Sequence, residues 1–270
     1  TGSTITKIGD FEHLKQSEKI AETITLKGDH VCVPGFIDAH THICFGGSRA
    51  KDYAMRNAGK SYLEIAHAGG GIWDTVTQTR KATQEELTKS TIKLANRHLK
   101  NGTTTIEVKS GYGLSVDEEL KMLRAIKEAN NTALPDLIPT CLAAHMLPKD
   151  FQGTETEYLS EIADRLFPIL KSEKLANRID AFIEESAFSA QDIKDYFNTA
   201  RAMQFDITVH ADQFTPIGSK VAVDYKALSA DHLEASTEKE ISILANSDTI
   251  AVALPGASIG LGCDFTPARK

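Results

Sequence analysis

Two histidines separated by one residue, His40 and His42, close a short apolar run that begins at Val31. In a β-strand, residues i and i+2 point to the same face, so the two imidazoles can bind one metal ion. His210 and His232 lie much farther along the chain and also end short β-like runs. Packing alone does not readily explain histidine at the end of three strands. The pattern therefore indicates a metal-dependent reaction centre.

Other residues near these runs have side chains suited to binding a substrate. His145 follows a further predicted strand, and His232 could serve either as a ligand or as a group that handles protons. Arg49 ends a Gly-Gly-Ser-Arg run, and a guanidinium can hold a carboxylate through two hydrogen bonds. Tyr112 is presented by a turn of small residues at 110–113. From the residues alone, Arg49 and Tyr112 could equally be solvated turn residues.

Two further motifs carry weaker signals. Successive strand residues face opposite ways, so at most one of Glu184 and Glu185 can point into a site, and a structural role is favoured. The three glycines at 69–71 lack the Gly-Lys-Ser/Thr ending of a phosphate-binding loop and a preceding strand. They predict a mobile connection, such as a lid.

The elements that must position these residues alternate along the chain. Strands are predicted near residues 31–38, 103–108, 137–142, 179–184, 206–211, 227–232 and 249–254. Helices between them have recognisable starts, because Thr83, Ser115 and Thr237 are each followed three residues later by glutamate, the capping-box spacing. Strand–helix repeats predict a parallel α/β fold. Residues 1–30 are polar with short alternating pieces and predict a few small strands.

An open doubly wound sheet and a closed (β/α)8 barrel share this local pattern. The candidate site residues follow the first, third, fifth and sixth predicted strands, and a barrel gathers the ends of many strands around one centre. An open sheet would hold the first and last of them far apart. We therefore favour a TIM-like barrel, with seven of its strands in this chain and the eighth lacking.

The bulk composition excludes several functional classes. The 270 residues carry a formal charge of −7, which argues against a nucleic-acid binder. Four scattered cysteines with no Cys-x-x-Cys pair favour a reducing cytoplasm over a disulfide scaffold. The longest apolar stretch, near residues 249–254, is too short to cross a bilayer, and the chain start lacks a secretory pattern. We expect a cytoplasmic protein that binds neither nucleic acid nor membrane.

Several stretches together resemble the amidohydrolase superfamily and, within it, the imidazolonepropionase family of histidine degradation. They are residues 38–42, 45–49, 68–72, 107–114, 210–214 and 228–233. The resemblance covers residues from about 31 to 256. Its Lys-Ser-Gly-Tyr-Gly and Gly-Gly-Ser-Arg runs are specific to that family, whereas the His-x-His pair is common to the superfamily.

The resemblance implies a partial N-terminal β domain at residues 1–33, a remnant of a small β-sandwich, and a barrel domain at 34–270 that stops before the eighth strand. It implies one zinc or iron ion per chain, held by His40, His42 and His210. It also implies a set of groups that act on the substrate: Arg49, Tyr112, His145 and Gln213 as substrate contacts, and His232 as a catalytic residue.

The activity that this resemblance implies is hydrolysis of the cyclic amide C–N bond of 4-imidazolone-5-propanoate, giving N-formimidoyl-L-glutamate. The partner would be a small molecule with a carboxylate arm, with a homodimer possible. The family's fourth metal ligand is an aspartate on the eighth strand, and Lys270 precedes that segment. Two alternatives therefore stay open. One is another amidohydrolase, resembling dihydroorotase or cytosine deaminase, and the other is a catalytically silent metal-binding fragment.

Overall fold

The N-terminal part of the chain forms a compact unit of its own. A computed structural model describes residues 4–60, 64–65 and 68–270, and it divides into the units Thr1–Pro34 and Gly35–Lys270. Helix α1, Phe11–Ser17, begins where the Asp10 side chain accepts a hydrogen bond from the His13 amide. The described residues of this unit form no strand. The small strands predicted for residues 1–30 do not occur in the described part of that range, residues 4–30, where the Asp10 cap starts a helix instead.

The larger unit is built around one parallel sheet. Its seven strands are β1 (Phe36–Asp38), β2 (Thr103–Lys109), β3 (Asp136–Ala144), β4 (Arg178–Ile183), β5 (Asp206–Ala211), β6 (Ser229–His232) and β7 (Ile250–Ala253). They pair in the order β1-β2-β3-β4-β5-β6-β7. Six of the seven agree with the predicted strands to within two residues at each end. The exception is β1, because Pro34 and the residues before it pair with no strand in the described part of the chain.

The strand order decides between the two candidate architectures. A doubly wound sheet reverses its strand order at a switch point, whereas each strand here lies beside its neighbour in the chain. This unbroken parallel order is that of a (β/α) barrel, as predicted, with β1 and β7 as its two edges. Phe36, Ile37 and Ile250 on those edges are 61%, 71% and 65% exposed.

Helices lie between the strands and after the last one. Those of the described residues are, in chain order, α2 (Ala50–Asn57), α3 (Ile72–Lys81), α4 (Gln84–Leu99), α5 (Val116–Asn130), α6 (Glu155–Glu173), α7 (Lys194–Ala202), α8 (Gly218–Asp224), α9 (Glu238–Ala245) and α10 (Pro255–Leu261). Within the described ranges, none is long and apolar enough to cross a membrane.

The helix starts follow the predicted capping chemistry. Thr83 before α4 and Thr237 before α9 form complete capping boxes with the glutamates three residues later. Ser115 caps α5 by accepting from the Glu118 amide, while the Glu118 carboxylate pairs with Lys121. A further capping box, formed by Thr154 and Glu157, starts α6. These side chains satisfy amides that the first helical turn leaves unpaired.

The two faces of the sheet differ sharply in chemistry. On β2, the buried apolar residues Ile106 and Val108 alternate with the buried charged residues Glu107 and Lys109. The apolar set belongs to the hydrophobic core that the sheet forms with its covering helices. Because alternate strand residues share a face, the charged set points to the opposite, inner face. The inner face therefore carries polar and charged groups towards the carboxyl ends of the strands.

Candidate active site

The predicted histidines come together at the carboxyl ends of the strands. His40 and His42 follow β1, and Thr41 between them is anchored to β2, since its hydroxyl donates to the Glu107 carbonyl and its carbonyl accepts from the Lys109 amide. His210 is the last residue but one of β5. Parallel strands bring their carboxyl ends to one edge of the sheet, which explains how residues so distant in sequence meet.

Three imidazoles turn their Nε2 atoms towards one another. The Nε2 atom of His42 lies 3.2 Å from that of His40 and 3.2 Å from that of His210. Nitrogen ligands at about 2.0–2.1 Å in a tetrahedral zinc site lie roughly 3.3 Å apart, so the spacing fits a shared ion. The rings of His40 and His210 are 4.5 Å apart between centroids.

The outer nitrogens of two of these rings face carboxylates. The Nδ1 atom of His40 lies 2.7 Å from Asp231 Oδ2, and the Nδ1 atom of His210 lies 3.1 Å from Asp180 Oδ2 in a less well-aligned contact. An ionised carboxylate only accepts hydrogen bonds, so the ring proton belongs on Nδ1. The Nε2 lone pairs are then directed into the cluster, which is the usual arrangement of metal-binding histidines.

The pKa values of these rings favour the neutral form that a metal requires. Burial, with the Lys109 charge as the next cause, lowers the pKa of His40 well below its usual value. Burial likewise lowers the pKa of His42 well below its usual value and that of His210 to about 4. Lone pairs directed at one point repel one another unless a proton or a cation lies between them. The donor set therefore fits a divalent metal ion.

His232 and His145 border the same cluster. His40, His210 and His232 each offer a nitrogen within 4.8 Å of the others, and the His232 ring lies 5.1 Å from that of His40. His232 has φ +88, an uncommon backbone conformation for a residue with a side chain. The His145 ring stacks on His42 at 5.5 Å, while its Nδ1 atom lies 2.9 Å from the Gly111 carbonyl oxygen.

The turn that carries Tyr112 is held by buried polar contacts. The Tyr112 ring lies 5.7 Å from His42 and 5.4 Å from His145, at the rim of the cluster. The carboxyl group of Glu119 accepts three backbone N–H groups of this turn, from Gly111 at 3.0 Å, Gly113 at 2.7 Å and Leu114 at 2.8 Å. Arg80 donates to the carbonyls of residues 113 and 114.

Arg49 has two polar partners of its own. Its Nε atom lies 2.6 Å from Asp52 Oδ2, and its NH1 atom donates to the Thr75 hydroxyl at 3.1 Å. The same Asp52 carboxylate accepts the Gly71 amide at 2.9 Å, which ties the predicted lid to α2. Arg49 therefore lies between the loop after β1 and the glycine-rich connection.

Gln213 is half-buried in the loop after β5. Glu184 shapes this loop, because its carboxylate accepts the amides of Phe214 at 2.9 Å and Thr215 at 3.2 Å. Glu184 is 2% exposed whereas Glu185 is exposed, so one carboxylate of the pair points inward and has the favoured structural role.

Sequence reasoning did not identify a buried charged group beneath the histidines. Lys109 is completely buried, and its ammonium lies 2.7 Å from Asp180, 2.8 Å from Glu107 and 3.5 Å from Asp231. Burial opposes the charge, but these carboxylates outweigh it and raise the pKa of Lys109. Burial alone would raise the pKa of Asp180, yet the facing His210 and Lys109 lower it well below its usual value. The sequence signal that could have identified Asp180 is a single charged residue within an apolar strand, as in Ile-Asp-Ala at 179–181.

Curated proteins of similar sequence include imidazolonepropionases of several bacteria. No family model matches the chain. Imidazolonepropionase of Acinetobacter baumannii strain ATCC 17978 is 42% identical over 257 residues, which are 95% of this chain and 64% of that protein. The imidazolonepropionase of Pseudomonas savastanoi pv. phaseolicola is also 42% identical, over 258 residues, with the same coverage. The chain thus spans 64% of the length of these relatives.

Solved structures with a similar backbone include two deaminases. A 5-methylcytosine deaminase from Klebsiella pneumoniae, liganded with phosphonocytosine, superposes with a TM-score of 0.61 at 14% identity, covering 85% of this chain and 56% of that one. An adenine deaminase from Arthrobacter aurescens gives 0.59 at 12% identity, covering 85% and 75%. Likeness at these identities shows the shared α/β-barrel fold alone.

Proposed function

We propose that the chain is a metal-dependent hydrolase of the imidazolonepropionase family, which opens the ring of 4-imidazolone-5-propanoate to give N-formimidoyl-L-glutamate, because it is 42% identical to curated imidazolonepropionases. The observation that carries the proposal is the convergence of the imidazoles of His40, His42 and His210 at the carboxyl ends of two strands, where the Nε2 atom of His42 lies 3.2 Å from that of His40 and 3.2 Å from that of His210. One zinc or iron ion is the proposed occupant, held by these three residues.

The role proposed for each group follows from its surroundings. An ion held by His40, His42 and His210 would supply Lewis-acid chemistry, which activates water and polarises a carbonyl oxygen. His232 borders the imidazoles at 5.1–5.3 Å between ring centroids, close enough to stabilise developing negative charge or to hold a proton on the attacking water. Tyr112, His145 and Gln213 are proposed to bind the ring and its polar edge.

Arg49 is the proposed partner of the substrate carboxylate. A guanidinium offers five N–H donors in a fixed fork, and Asp52 and Thr75 already hold its orientation. A pre-oriented fork loses less conformational freedom when the carboxylate arrives. The substrate arm would then extend from the imidazole cluster towards the glycine-rich connection.

Turnover of three substrates tests the reaction directly. The chain, loaded in turn with Zn²⁺ and Fe²⁺, is assayed with 4-imidazolone-5-propanoate, dihydroorotate and cytosine, and its metal content is measured by mass spectrometry. We expect ring opening of the first compound alone, with one ion bound per chain. Turnover of only the latter two would replace the proposal with the related amidohydrolase alternative. Metal binding with no turnover would favour the catalytically silent alternative.

Two substitutions separate the ligand role from the substrate role. His210→Ala should abolish both metal binding and activity, because three protein ligands fall to two. Arg49→Met should retain the metal and raise KM, with kcat/KM falling roughly a hundredfold for the loss of a charge-assisted contact. Loss of metal from the Arg49 variant, or its retention by the His210 variant, would show that the site is wrongly placed. The cytoplasmic location and the homodimer stay predictions.

A further inference from the structure

Lys109 occupies an unusual position for a lysine. Its side chain is completely buried on the inner face of the sheet, at the last residue of β2. Carboxylate oxygens of Asp180, Glu107 and Asp231 lie 2.7 Å, 2.8 Å and 3.5 Å from its ammonium nitrogen. A buried ammonium is costly unless such partners surround it, so the position requires a reason beyond packing.

Two of these carboxylates use one and the same oxygen for Lys109 and for a histidine. Oδ2 of Asp180 lies 2.7 Å from the ammonium and 3.1 Å from Nδ1 of His210. Oδ2 of Asp231 lies 2.7 Å from Nδ1 of His40 and 3.5 Å from the ammonium. The ammonium is thus the common neighbour of two carboxylates that come from different strands, β4 and β6.

We propose that Lys109 is a positioning residue of the metal centre, which fixes the Asp180 and Asp231 carboxylates so that His210 and His40 present Nε2 to the ion. The inference rests on the metal site proposed above and assigns Lys109 no contact with the ion or the substrate. Without the ammonium, two carboxylates from neighbouring regions of the sheet would repel each other and turn away. Each imidazole would then be free to rotate or to move its proton to Nε2.

The direction of the effect separates positioning from simple electrostatics. A positive charge near a cation site weakens cation binding by repulsion, so electrostatics alone predicts tighter metal binding when the ammonium is removed. Positioning predicts the opposite, because a misdirected imidazole is a poorer ligand. Loss of partners that orient metal-binding histidines typically lowers metal affinity about 10–100-fold.

The experiment measures Zn²⁺ affinity by competition with a chromogenic chelator. Lys109→Met is compared with the double variant Lys109→Met/Glu107→Gln, which removes one carboxylate along with the ammonium and leaves less uncompensated buried charge. The matched control is Lys121→Met, a part-buried lysine paired with Glu118. We expect both Lys109 variants to bind Zn²⁺ about 10–100-fold more weakly than the parent chain, and the control to match the parent. Unchanged or tighter binding in a folded Lys109 variant overturns the inference.

A second measurement does not depend on whether any variant folds. In the metal-free parent chain, ¹⁵N chemical shifts of the imidazole nitrogens report which ring nitrogen carries the proton. We expect both His40 and His210 to carry it on Nδ1. A predominant Nε2–H form in either ring overturns the inference, because the carboxylates would then not be orienting that ring.

The two proposals fail in distinguishable ways. If the parent chain binds no Zn²⁺ at all, the metal site itself is wrong. If the parent binds Zn²⁺ tightly and the Lys109 variants bind it equally well, only the role of Lys109 is wrong. Neither readout involves substrate turnover.

Discussion

Replacing Glu119 tests how the turn that carries Tyr112 is held. The Glu119 carboxyl is completely buried and accepts three backbone N–H groups at 2.7–3.0 Å, from Gly111, Gly113 and Leu114. Burial raises the pKa of Glu119, while hydrogen bonds from this turn act in the opposite direction. The Glu119 side chain therefore stays buried because its carboxyl accepts the backbone N–H groups of this turn.

The magnitude follows from the donors that are left behind. A buried donor that loses its acceptor costs about 1–3 kcal/mol, so three orphaned amides in Glu119→Ala should lower the free energy of unfolding by roughly 3–6 kcal/mol once some water enters. Glu119→Gln keeps one oxygen for the two bonds that Oε1 accepts but turns an NH₂ towards the Gly111 amide. We expect that variant to lose about 1–3 kcal/mol.

Urea and thermal denaturation measure both variants. In a domain of this size, 1 kcal/mol corresponds to about 2–4 °C in Tm, so Glu119→Ala should melt roughly 10–20 °C lower. Glu128→Ala on the same helix is the control, because this exposed carboxylate contacts only side chains and should cost under about 1 kcal/mol. If Glu119→Ala also costs less than about 1 kcal/mol, the turn does not depend on this carboxyl and the reasoning is refuted.

Two further predictions concern packing and thiol reactivity. A Cβ at Gly46 would meet the Gln78 carbonyl oxygen at 2.6 Å, so Gly46→Ala should lower the free energy of unfolding by about 1–3 kcal/mol in thermal melts. Gly256→Ala is the control and should be nearly neutral, because open space surrounds Gly256. Equal Tm values for the two variants would contradict the reasoning. Burial raises the pKa of Cys44 to about 12, while Cys32 is exposed. When the thiols of the native chain are labelled by disulfide exchange at pH 8, the Cys32 thiol should therefore react in the fast phase and the Cys44 thiol should not. The fast phase should be lost in Cys32→Ser and retained in Cys44→Ser. The reverse result would show that Cys44 is accessible.

The strand ends and their histidines were predictable because they depend on local patterns. Apolar runs marked β2 to β7 to within two residues, and the polar residue that follows a parallel strand falls at a common edge whatever the details of packing. His40, His42 and His210 could therefore be grouped without knowing the register of any pair. The roles assigned to them stay predictions until metal and substrate are measured.

The buried charges were not predictable in the same way. Lys109 directly precedes the turn at 110–113 and Asp180 lies within an apolar strand, but neither position indicates that the two side chains meet, because their contact joins residues 71 positions apart. Whether a charge at a strand end faces solvent or a partner depends on the register of β2 with β3 and of β3 with β4. Sequence periodicity does not fix that register. The pairing of Arg49 with Asp52 likewise could not be predicted, because it depends on where α2 begins.

The hydrogen bond between His40 and Asp231 joins residues 191 positions apart, and it closes the cluster between the first and the sixth strand. Closing a loop of that length costs roughly 5 kcal/mol of chain entropy beyond a constant, yet β1 offers only three residues of pairing. Local unfolding of β1 would remove the imidazoles of His40 and His42 from the cluster together and leave β2 to β7 paired. The cluster is therefore a sensitive reporter of whether the sheet is fully assembled, because it can exist only while its most weakly held strand is docked.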